Sequence, residues 1–158
     1  MDNNENREKK ASVTFSEKEV HIAIDMEKKL FTIVDMLMYM LDKTDTKFTI
    51  IIIKAEFDGL YDYLVKTKRD SDILQEIDEK INLYAIVCQD TTVDGGYMFA
   101  NRMLKTLINE NKVHDVTCIA LEVRTRRYSV RDIIYKGFQL YINARHKSHL
   151  GEIKYHSL

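Results

Sequence analysis

The sequence predicts an α/β fold in which helices cover one mixed sheet. Three observations carry this reading: a long run of apolar residues at helical spacing near the N-terminus, an unbroken β-branched block after it, and an alternation of strand-like and helix-like segments from there on. The 158 residues are enough for one domain with a full core and too few for two, so a catalytic core with a separate sensor is not expected. Residues 1–16 read as a flexible tail, because they are polar and aperiodic, and residues 17–158 as the single domain.

The first helix is expected over residues 17–42, where Val20, Ile24, Leu30, Phe31, Val34, Leu37, Met38 and Leu41 recur at helical spacing. Ser16 and Glu19 supply a capping box. Ile33, Met36 and Met40 widen the apolar face, and core packing is preferred over contact with a second copy. Residues 47–57 follow as a central strand, since Ile50, Ile51, Ile52 and Ile53 are too continuous for a surface helix. Leu60, Tyr61, Leu64 and Val65 mark a short helix. Residues 73–77 and 83–88 form a hairpin across a few polar residues. Thr92 opens another helix, residues 113–123 read as a strand, and Ser129 caps a last long helix before a short strand around Ile153 and Tyr155.

A net charge of −1 removes any whole-chain attraction to nucleic acid or anionic lipid. No stretch has the length and apolarity of a membrane span, and the first ten residues lack the apolar core of a signal peptide, so a cytoplasmic protein without a membrane partner is expected. Cys88 and Cys118 lie inside apolar runs and read as buried thiols of a reducing compartment. With no proline and five glycines, turns fall to Asn, Asp, Lys and Gly.

From Tyr84 onward the chain resembles the second half of a GGDEF (diguanylate cyclase) domain. Tyr84-Ala85-Ile86-Val87-Cys88-Gln89-Asp90-Thr91 is similar to the strand after that family's signature, and Ala100-Asn101-Arg102 to its common Ala-Glu-Arg. Val116 to Ala120 resembles its Val-Thr-Val-Ser-Ile-Gly strand. Ser129, Asp132, Ile133 and Ile134, then Leu140, Tyr141, Ala144 and Arg145, resemble its closing helix. The resemblance implies a palm-like nucleotidyl-cyclase sheet flanked by helices.

It also implies that catalysis is lost. Family members join two GTP molecules on divalent metal, which needs carboxylate ligands at the end of the first central strand and within the signature. Counted back from Tyr84, the signature positions hold Lys80, Ile81, Asn82, Leu83 and Tyr84, and Lys54, Ala55 and Glu56 stand where the family has Asp-Ile-Asp. No metal or cofactor is therefore expected, with magnesium relevant only to an alternative in which an atypical site still cyclises nucleotides.

Arg69 and Asp72 match the Arg-x-x-Asp pattern with which many members bind cyclic di-GMP, although the spacing to the signature is two residues longer here. A planar guanidinium suits phosphate and guanine edges, and a solvated turn is the alternative. Asp62 falls at a guanine-contacting position and Arg145 at a phosphate-contacting one. The plainer readings, an exposed helix aspartate and a cation at a helix C-terminus, are preferred for these two. His146, His149 and His156 read as a polar segment rather than a metal site. Arg124, Arg126, Arg127 and Arg131 read as a charged loop offset by Asp115, Glu122 and Asp132. Gly95-Gly96 lacks the Lys-Ser/Thr context of a phosphate loop. The expected function is a catalytically inactive regulatory module of bacterial signalling. Its partner would be another signalling protein, or a second copy bound through the residue 17–42 helix, with cyclic di-GMP reception as the alternative.

Overall fold

The computed structural model describes residues 14–158. The expected tail falls mostly on residues 1–13, outside the described residues. Of the rest, Phe15 packs edge-on against Phe138 at 5.1 Å.

Nine main elements follow the expected order: α1 (Glu17–Thr44), β1 (Phe48–Ala55), α2 (Leu60–Thr67), β2 (Ile73–Asp78), β3 (Leu83–Gln89), α3 (Val93–Lys105), β4 (Val116–Val123), α4 (Val130–Lys147) and β5 (Ile153–Ser157). A 3-10 turn, Glu79–Ile81, joins β2 to β3, and a π-helical turn, Thr106–Glu110, extends α3. Ser16 and Glu19 close the capping box of α1, while Thr92 and Ser129 cap α3 and α4. Turn chemistry follows from the scarcity of glycine. Asp45, Asn82, Asp90 and Lys112 take positive φ, which Asn and Asp tolerate better than most residues.

The five strands form one mixed sheet in the order β2-β3-β1-β4-β5. β1 is antiparallel to both neighbours, with Ile51 opposite Ile86 and Ala120, and only β4 and β5 run parallel. The run from β1 to β4 thus consists of two split β-α-β crossovers. Because β1 is central and covered on both faces, its isoleucines serve two cores. Phe48, Ile50 and Ile52 pack with α1 and α4, and Ile51 and Ile53 with α2 and α3. No helix among the described residues is long and apolar enough to cross a membrane.

One expectation about α1 is corrected. Its buried stripe is Met26, Leu30, Val34, Leu37 and Leu41, whereas Val20, Ile24 and Phe31 lie in an adjacent exposed sector. Met36 and Met40, expected in the core, are 61% and 45% exposed. The helix carries more apolar residues than one contact with the sheet and α4 can cover.

Candidate functional site

The turn from α2 into β2 builds a cleft around Arg69 and Asp72. Asp72 is nearly fully buried and accepts the backbone N–H of Arg69 at 2.9 Å. The same carboxylate accepts the guanidinium through Nε at 3.1 Å and Nη2 at 2.9 Å. Nη2 also donates to the Gln89 carbonyl at 3.1 Å and to Thr91 Oγ1 at 2.7 Å. Gln89 Nε2 donates back to the Ser71 carbonyl at 2.7 Å. The pair therefore pins the start of β2 to the end of β3, a tighter structure than a solvated turn. Arg69 is still 55% exposed at its side chain, and among the described residues Nη1 makes no hydrogen bond.

The cleft holds about 310 Å³ and is also lined by Thr92, Gly95, Phe99 and Arg102. Arg102 was not singled out from sequence as a binding residue. It projects from α3, its guanidinium lies 5.9 Å from the Phe99 ring centroid, and it makes no ion pair among the described residues. Two guanidinium groups beside the capped N-terminus of α3 form a setting for a phosphate or another planar anion. Asp90 lines the same cleft and limits its positive potential. Cys88 forms part of the wall, and burial pushes its thiol up to about 12, which leaves it protonated and unreactive at neutral pH.

The positions matching the cyclase signature lie at the opposite end of the sheet. Lys80 and Ile81 belong to the 3-10 turn, Asn82 takes the left-handed conformation, and Leu83 and Tyr84 are buried in β3. Lys54 sits across the sheet from Leu83 on one side and Thr117 on the other. Its ammonium group is 3.9 Å from Asp115, which Arg145 engages at 2.7 Å while also donating to Thr117 Oγ1 at 3.1 Å. Burial raises the Asp115 carboxyl, but the Arg145 hydrogen bond and charge, aided by Lys54, bring it below the usual aspartate value. Glu56 lies in an exposed bend beyond the strand end. An ammonium group and a leucine at paired positions do not fit a hard dication.

Asp62 is exposed on α2, which follows β1 and so shares the Lys54 end of the sheet. Arg145 belongs to α4, against the other face. Thr49, whose hydroxyl donates to the Thr91 carbonyl, marks the Arg69 end. Five residues of extended β1 separate Thr49 from Lys54, roughly 17 Å. The two sets of candidates are therefore not one site.

Four of the other charged candidates are engaged in pairs. His146 meets Glu19 at 3.2 Å, Arg124 meets Glu122 at 3.3 Å, Arg131 meets Glu27 at 2.9 Å, and Arg126 bonds Asp42. Among the described residues no three His, Cys, Asp or Glu side chains gather as a metal site. Compared with known proteins, the chain matches no family model and no curated protein.

Proposed function

We propose that this chain is a catalytically silent GGDEF-like regulatory module of bacterial cytoplasmic signalling. The observation that carries this reading is Lys54 at the end of the central strand, held toward Asp115 and paired with Leu83 where a cyclase needs metal-binding carboxylates. The order of hairpin, helix, strand and helix, with the motif likenesses from Tyr84 onward, supports a palm-like sheet of that family. A module without turnover acts by binding, either to another signalling protein or to a nucleotide.

A second reading, reception of cyclic di-GMP, is favoured by the Arg69, Asp72 and Arg102 cleft. Asp72, Gln89 and Thr91 engage Nε and Nη2 of the Arg69 guanidinium and leave Nη1 to a ligand, while Arg102 is uncommitted to any carboxylate. Titration calorimetry with cyclic di-GMP, and separately with GTP and magnesium, tests both readings. Reception predicts micromolar affinity for cyclic di-GMP that falls at least about tenfold in Arg102→Ala, a change that leaves the Arg69 ties intact. Absence of binding overturns reception and leaves the silent module. Release of pyrophosphate from GTP would overturn the assignment of catalytic loss.

A further inference from the structure

Six exposed apolar side chains lie on α1, among them Ile24 at 45%, Phe31 at 39% and Tyr39 at 63%. Ile24, Phe31 and Tyr39 share one stripe with charged residues, whereas Met36 and Met40 lie on another face of the helix. His21, Ile24, Lys28, Phe31 and Asp35 follow at alternating steps of three and four, and Asp42 continues the stripe two turns later. From His21 to Asp42 it runs about 32 Å along the helix. Lys28 and Asp35 are exposed, and neither makes an ion pair among the described residues.

We propose that this stripe binds a second copy of the same chain, with the two α1 helices antiparallel about a two-fold axis beside Phe31. The charges choose the partner and the direction. Antiparallel pairing sets Lys28 against the partner's Asp35. It also sets Ile24 against the partner's Tyr39, with the two Phe31 rings flanking the axis. Parallel pairing in register would place lysine on lysine and aspartate on aspartate, which opposes association. A two-fold contact requires one patch to complement itself, and this stripe does so in only one of the two directions. The contact also covers Ile24, Phe31 and Tyr39, which the fold leaves in water.

Light scattering of the full chain at micromolar concentration tests the proposal. A dimer is expected. Lys28→Asp and Asp35→Lys should each weaken it about tenfold or more, and the double exchange should restore it, because the opposite charges meet again across the axis. Phe31→Glu should give a monomer with unchanged circular dichroism. A monomeric parent chain, a dimer that persists in Phe31→Glu, or a double exchange as weak as the singles would each overturn the antiparallel contact.

Discussion

At the scale of single residues, Asp115 shows how two cations decide a carboxylate's behaviour. Burial alone raises it, and Arg145 at 2.7 Å with Lys54 at 3.9 Å more than reverses the effect. With the folded value below the ordinary 3.8, the folded state binds fewer protons than the unfolded chain in acid. The carboxylate thus contributes stability above that ordinary value, and the contribution is lost as pH falls through the folded value. Arg145→Gln removes the strongest lowering influence. Carbon NMR of the Asp115 carboxyl should then follow a titration displaced upward, and an unmoved curve would show that Arg145 does not set it.

Elements meet closely where α3 crosses β1. A Cβ on Gly96 would stand 2.6 Å from Thr49 Cγ2, and Thr49 is fully buried with its hydroxyl held by the Thr91 carbonyl. Alanine ordinarily stabilises a helix by about 1 kcal/mol over glycine. Here the clash should win, and Gly96→Ala should destabilise the chain by about 1–3 kcal/mol in urea unfolding. Adding Thr49→Ser removes the obstructing methyl and keeps the hydroxyl, so the double variant should recover most of the loss. If it does not, the contact is not what requires glycine.

Elements were also the scale at which the sequence was most informative. The isoleucine block of β1, the capping box at Ser16 and Glu19, and the caps Thr92 and Ser129 are local signals, and each element formed where they stand. The burial of α1 was less legible. Helical period identifies a helix, but Ile24 and Phe31 lie beside the Leu30 and Val34 stripe, and only the docking of α4 and the sheet decides which stripe is covered. The cleft was half legible. Arg69 and Asp72 are three residues apart, whereas Arg102 joins them only because the hairpin edge and α3 meet in space.

For the whole molecule, the decisive feature is that two cores share one sheet. Leu30 belongs to the core beneath α1 and α4, Leu64 to the core beneath α2 and α3, and β1 gives alternate residues to each. Loss of either core exposes one complete face of the central strand, so neither half retains a fully covered sheet without the other. Unfolding should therefore be one cooperative transition, and β1 amides should exchange with deuterium only through it. Leu30→Ala should cost about 2–5 kcal/mol. Exchange should then quicken at least about twentyfold in β1, and by the same factor in the slowest amides of α3, which Leu30 does not contact in its own core. Leu64→Ala should act reciprocally on the slowest amides of α1. Acceleration confined to the mutated side would mean that the two layers open separately, and would remove the argument that the sheet joins them into one unit.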